Sequence, residues 1–146
     1  MATVGRVVVV KTTIVLADDH AIVRRGIKAL LEYEPDFHVV AEASDGAAAL
    51  LLIENHRPHI LVTDLSMPNL SGIQLLKIIK EKKLPVRSVV LSTYGDTPYV
   101  LDSIEAGAYG YVLKEAGVEH LVTAIREAQS GRRYLSPPLS ETIAVN

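Results

Sequence analysis

A doubly wound α/β fold around a parallel sheet is predicted by two observations. Short β-branched apolar runs alternate with runs of helical periodicity, and residues able to carry chemistry stand where four of the strand-like runs end. Asp18 and Asp19 follow Thr13-Ile-Val-Leu-Ala17, Asp64 follows Ile60-Leu-Val-Thr63, Ser92 follows Val89-Val-Leu91, and Lys114 follows Tyr111-Val-Leu113. Ends of parallel strands gather along one edge of a sheet, so these scattered residues are expected to share one pocket.

The elements justify themselves in order. Val7 to Val10 fits an extension of the first strand, an added edge strand or a disordered leader, and residues 1–11 are set apart as an N-terminal extension. After the first strand, Ile22, Val23, Ile27, Leu30 and Leu31 recur near helical spacing until Tyr33-Glu-Pro35 stops the helix. His38-Val-Val-Ala41 is the second strand. Ser44-Asp-Gly46 supplies turn and cap chemistry for a helix over Ala47 to His56, and Pro58 separates it from the third strand, Ile60 to Thr63. A loop with Pro68, Asn69 and Gly72 leads to a helix from Ile73 to Lys82, and Pro85 precedes a strand over Ser88 to Leu91. The fourth helix runs from Pro98 to Ala106 and ends at Gly107, a residue suited to a left-handed C-terminal position. Gly110 to Leu113 is the fifth strand. Val118, Leu121, Val122 and Ile125 mark the last helix, which Gly131 closes. Residues 12–131 thus form one domain, and 132–146, with Pro137 and Pro138, read as a linker. Right-handed crossovers with helices on both faces require one reversal of winding, which the strand order 2-1-3-4-5 provides. That order sets Asp18, Asp19 and Asp64 side by side.

Composition excludes several classes. The 146 residues are 49% hydrophobic and 22% charged, as in ordinary globular domains. With no cysteine there is no disulfide framework or thiolate metal cage, which suits a reducing compartment, and the cytoplasm is the expected location. The apolar runs Val7 to Val10 and Ala47 to Ile53 fall far short of the ~20 residues that cross a bilayer, so no membrane association is expected. A net charge of -2 with dispersed basic residues leaves no electrostatic footprint for DNA.

Three carboxylates held together repel by several kcal/mol at an effective dielectric of ~20, so the cluster calls for a cation. Each acid alone would pass for turn or cap chemistry; together they point to a divalent ion. Oxygen ligands without cysteine or paired histidine favour Mg2+, with Mn2+ as the alternative. Lys114 can pair with a phosphoryl oxygen and Ser92 can hydrogen-bond another, which leaves Asp64 as a carboxylate nucleophile able to form an acyl phosphate.

Leu16-Ala-Asp-Asp-His20, Thr63-Asp-Leu-Ser-Met-Pro68 with Gly72, Leu91-Ser92 and Gly107-Ala-Tyr-Gly-Tyr-Val-Leu-Lys114 together resemble the receiver domain of two-component response regulators. The resemblance covers about residues 12 to 130 and implies a flavodoxin-like (βα)5 fold. It implies Asp64 as phosphoacceptor, Asp19 and Asp64 as direct Mg2+ ligands, Asp18 acting through water, and the Ser66 backbone carbonyl completing the protein ligands. It further implies Ser92 as switch hydroxyl, Lys114 as phosphate-pairing lysine and Tyr111 as aromatic switch, with Ser66 and Tyr94 flanking the path of the hydrolytic water. The implied partners are a sensor histidine kinase or phosphotransfer protein and a phosphorylation-dependent second copy of the chain. The implied chemistry is limited to the chain's own phosphorylation and slow dephosphorylation, so no separate enzyme activity is expected.

Arg24-Arg-Gly-Ile27, Glu34-Pro-Asp36, Ala43-Ser-Asp-Gly46 and Gly131-Arg-Arg-Tyr-Leu-Ser-Pro137 resemble the NarL/FixJ subgroup, whose output is a LuxR-type helix-turn-helix. The chain is therefore expected to be the receiver part of a transcription regulator, itself without sequence-specific DNA binding. Two departures stand out. Glu115 replaces the proline that often follows the lysine, so a trans bond is expected there, and Ser92 replaces the commoner threonine. A flavin carrier on the same fold is disfavoured because Ala17-Asp-Asp-His20 would repel a phosphate. A phosphatase with an Asp-x-Asp nucleophile motif lacks its second acid at Ser66.

Overall fold

A computed structural model describes the backbone of residues 2–4 and 7–144 and the side chains of residues 10–144. Uninterrupted β-branched runs form the interior strands, because a parallel sheet covered on both faces buries every side chain. The elements in chain order are β1 (Ala2–Val4), β2 (Val7–Val9), β3 (Thr12–Ala17), α1 (Ala21–Leu31), β4 (Phe37–Ala43), α2 (Gly46–His56), β5 (Ile60–Thr63) and α3 (Gly72–Glu81). There follow β6 (Arg87–Ser92), α4 (Thr97–Glu105), β7 (Gly110–Leu113), a 3-10 turn over Lys114–Ala116, α5 (Val118–Gln129), β8 (Tyr134–Leu135) and α6 (Leu139–Thr142).

The main sheet has the order β4-β3-β5-β6-β7-β8, all parallel. Its first five strands realise the expected 2-1-3-4-5 order. Register alternation divides the core. Ile14, Leu16, Val62 and Leu91 face α1 and α5, with Leu31, Leu121 and Ile125 closing that layer. Val15, Ala17 and Leu61 face the opposite way onto Ala49, Ile53, Leu75 and Ile79 of α2 and α3. Val90, Tyr111 and Leu113 pack with Val100 of α4 and Leu76 of α3.

The tail and the second strand depart from the sequence reading, and the N-terminal segment, left open there, takes an arrangement of its own. Residues 134–142, expected to be linker, extend the domain: Tyr134 and Leu135 pair with Gly110 and Tyr111, and Leu135 and Leu139 are buried against Tyr111 and Leu113. A two-residue strand is too short to show periodicity, and the following prolines mask it. Val7–Val9 pairs antiparallel with Ala2–Val4 in a separate two-stranded sheet, rather than extending β3. The second strand is also longer than expected, spanning Phe37–Ala43, with a register irregularity opposite Ile14 and Val15. Among the described residues the cis bond is Pro137-Pro138, so Lys114–Glu115 is trans, as Glu115 requires.

Local signals place the loops that carry the site. Asp45 caps α2 by accepting from the Ala48 N–H at 2.7 Å. Ser71 and Gln74 form a reciprocal capping box at the start of α3. Gly72 brings α3 so close to β5 that a Cβ there would lie 2.2 Å from the Asp64 carbonyl oxygen. Its N–H donates to the Leu65 carbonyl at 2.8 Å, locking the loop that follows Asp64. Gly107 ends α4 with φ +114°, the left-handed conformation its place in the sequence predicts.

Candidate phosphoryl-accepting site

Strand adjacency builds the site. Ala17 pairs with Thr63, and the Asp64 N–H donates to the Ala17 carbonyl at 3.0 Å, so the acids that follow β3 and β5 meet at one sheet edge. Lys114, immediately beyond β7, reaches across that edge: its Nζ lies 3.0 Å from Asp18 Oδ2 and 2.9 Å from Asp64 Oδ2. Side-chain exposure is 2% for Asp18, 8% for Asp64 and 20% for Lys114, which keeps the three in a weakly solvated environment; Asp19 is exposed to 33%.

The two oxygens of Asp64 have different partners. Oδ1 accepts from the Leu65 N–H at 2.7 Å, while Oδ2 faces Lys114. Burial works against the charged ammonium, but hydrogen bonds and charges from Asp64 and Asp18 outweigh it and hold Lys114 above the ordinary lysine range. The lysine therefore stays cationic at neutral pH.

Asp18 is fixed from behind. Its Oδ1 accepts from the His20 N–H at 2.8 Å, an Asx-type turn that leads into α1, and Arg24 donates to its backbone carbonyl at 2.5 Å. His20 occupies the N-cap position of α1, and its Nδ1 lies 3.2 Å from Asp18 Oδ1 and 3.1 Å from Asp19 Oδ1. These contacts were not read from the sequence. An aspartate two residues before the N-cap of a helix signals the turn, but the return of Arg24 onto it needs the first helical turn in place.

A cation fits this donor set. Asp18, Asp19, His20 and Asp64 each offer a ligand atom within 4.8 Å of the others. Three carboxylates against one ammonium leave negative charge to neutralise, and oxygen-rich donors suit a hard divalent ion.

The remaining predicted residues are placed less directly. Ser66 is exposed in the loop after Asp64. Ser92 ends β6 fully buried, with its Oγ accepting from the Tyr94 N–H at 3.0 Å. Tyr111 is also fully buried, and its hydroxyl donates to the Tyr94 carbonyl. Burial raises the Tyr111 phenol above its ordinary pKa; the Ser92 hydroxyl opposes the shift, and the charges of Asp64 and Asp96 add to it. Both switch candidates thus hold the backbone of Tyr94, whose 43%-exposed ring stacks on Tyr99 at 5.0 Å. The Tyr111 ring points into the core, packed with Val90, Val100 and Leu113.

With this geometry established, comparison with known proteins assigns the chain. Residues 14–126 match the response regulator receiver domain family. The chain is 37% identical over 134 residues to the nitrate/nitrite response regulator protein NarL of Escherichia coli, covering 92% of this chain and 62% of that protein. It is 34% identical over 133 residues to the transcriptional regulatory protein DegU of Brevibacillus brevis, covering 91% of this chain and 56% of that protein. A crystal structure of a LuxR-family two-component response regulator from Aurantimonas superposes with a TM-score of 0.86 at 37% identity, covering 90% of this chain and 94% of the other. The chain thus spans between 56% and 62% of the length of these two curated relatives. It belongs to the response regulator receiver domain family, within its NarL and LuxR-type branch.

Proposed function

We propose that the chain accepts a phosphoryl group on Asp64 and that the modified state controls a transcriptional output. The observation that carries this reading is the Lys114 ammonium, 2.9 Å from Asp64 Oδ2 inside a cluster able to hold a cation. A carboxylate oxygen of Asp64 forms the new bond to phosphorus as the bond from phosphorus to the donor breaks. Lys114 neutralises one phosphoryl oxygen, and Ser92, after exchanging its bond with Tyr94, donates to another. Asp19 and Asp64, with Asp18 and the Ser66 carbonyl, would hold Mg2+ or Mn2+, which supplies further charge neutralisation when bound. The donor is a phosphohistidine on a sensor kinase or phosphotransfer protein. An apolar groove of about 140 Å³ lined by Val23, Ile27, Leu30, Leu91 and Leu121 borders Lys114 and offers such a partner a contact beside the acceptor.

This chemistry is confined to the chain's own phosphorylation and dephosphorylation. No helix among the described residues is long and apolar enough to cross a membrane, and the setting of the relay is the cytoplasm. DNA binding belongs to a separate output domain, and the modified receiver pairs with a second copy. The test is mass spectrometry after incubation with acetyl phosphate and Mg2+. One phosphoryl group is expected on the wild type and none on Asp64→Asn or without a divalent ion. Undiminished labelling of Asp64→Asn would place the acceptor elsewhere.

A further inference from the structure

The segment beyond the last main helix lies outside the family match of residues 14–126, yet it reaches the residue next to the site lysine. β7 and β8 pair over only two positions, Gly110 with Tyr134 and Tyr111 with Leu135. The ladder would stop there and leave the next edge-facing donor of β7, the Leu113 N–H, without a backbone partner. Ser136 takes over: its Oγ accepts from the Leu113 N–H at 3.0 Å, and its own N–H donates to the Tyr111 carbonyl at 3.0 Å. Ser136 is fully buried. Leu135 and Leu139 flank it and pack with Val100, Tyr111 and Leu113. On its other side β7 is held by β6 through the Ser92–Leu113 pair. The strand end from which Lys114 departs is thus pinned by Ser92's strand on one side and by one serine hydroxyl on the other.

We propose that Ser136 is a positioning residue for phosphoryl transfer, holding the end of β7 so that Lys114 stays aimed at Asp64. The inference rests on the reading of Asp64 as acceptor. A lysine side chain has four rotatable bonds, so the fixed point of its reach is the backbone at Leu113 and Lys114. Loosening that point misplaces the ammonium, and displacements of about 1 Å at a reacting group can cost large factors in rate.

Ser136→Ala removes the hydroxyl with little change of shape, whereas Leu139→Ala removes tail packing and leaves the hydroxyl in place. Both variants of the 146-residue chain are compared with wild type under conditions where circular dichroism shows all three folded. At saturating acetyl phosphate and Mg2+, labelling of Ser136→Ala should be roughly tenfold slower, while Leu139→Ala should stay within about twofold of wild type. Hydrogen exchange at the Leu113 amide should be slow in wild type and Leu139→Ala and fast in Ser136→Ala. Equal labelling rates for wild type and Ser136→Ala, an equal slowing by both substitutions, or unchanged Leu113 exchange in Ser136→Ala would each overturn the role. Absence of labelling on the wild type would instead overturn the acceptor reading and this role with it.

Discussion

At the scale of single residues, Tyr94 joins the switch candidates to solvent. Its N–H donates to the Ser92 hydroxyl and its carbonyl accepts from Tyr111, while its partly exposed ring stacks on Tyr99. If Ser92 turns toward a phosphoryl group, the bond to the Tyr94 N–H is the one given up. The receiver resemblance implies that the position two beyond Ser92 flanks the path of the hydrolytic water, and a half-exposed aromatic ring there would obstruct it. Tyr94→Ala should therefore speed loss of the phosphoryl group several-fold while changing labelling by acetyl phosphate much less. Parallel time courses of labelling and decay measure both, and a larger effect on labelling would remove the ring from the water's path.

At the scale of elements, two glycines separate contact from conformation. Gly72 opens α3 against β5, and an added Cβ would meet backbone, the Asp64 carbonyl oxygen at 2.2 Å and the Leu65 Cα at 2.8 Å. Backbone cannot swing aside as a side chain can, so Gly72→Ala should cost about 3 kcal/mol or more and displace the acceptor loop. Gly26, inside α1, has nothing within 4 Å of the same position. Gly26→Ala should raise stability by about 0.5–1 kcal/mol through helix propensity alone, and urea denaturation of the pair reads both signs.

A second element-scale prediction concerns α5 and the turn before β4. Arg126 donates to Asp36 at 2.9 Å and Glu34 at 3.0 Å and lies over the Phe37 ring at 4.6 Å. The Arg126 hydrogen bond holds the Asp36 carboxyl below its ordinary value. A depressed folded-state pKa means that this stabilisation is present above the unfolded value, ~3.9, and is lost as pH falls through the lower folded value. Arg126→Gln should cost about 0.5–1 kcal/mol at neutral pH, the upper range for partly exposed ion pairs. Its ionic share should vanish on acidification below that window, leaving only lost packing on Phe37. A stability gap between variant and wild type that is constant from neutral to acid pH would contradict this assignment.

For the whole molecule, the sheet links the site to the surface of α4, β7 and α5. Ser92 ends β6, Tyr111 lies in the neighbouring β7 and Lys114 follows directly after it, so a group bound at Asp64 would bias one connected layer rather than build a new fold. Beryllofluoride, a phosphoryl mimic, should increase dimerisation or shift the resonances of α4. Identical sedimentation and spectra with and without it would sink the switch.

Much of this is legible in the sequence alone. The β-branched runs ended where Asp18, Asp64, Ser92 and Lys114 stand, and parallel connectivity alone carried those ends to one edge. Strand order followed from handedness, and Gly107 and Pro58 marked boundaries through backbone conformation that each residue dictates locally. The sequence could not show that Tyr134 and Leu135 continue the sheet, because a two-residue strand acquires its identity from the neighbour it pairs with. Nor could it orient Tyr111 inward, bring Arg24 onto the Asp18 carbonyl, or put the Ser136 hydroxyl on Leu113. Periodicity, caps and chemical type are properties of short stretches and survive in the linear chain. Which donor meets which acceptor across 23 residues from Leu113 to Ser136, or across 96 from Asp18 to Lys114, exists only once packing has fixed both ends.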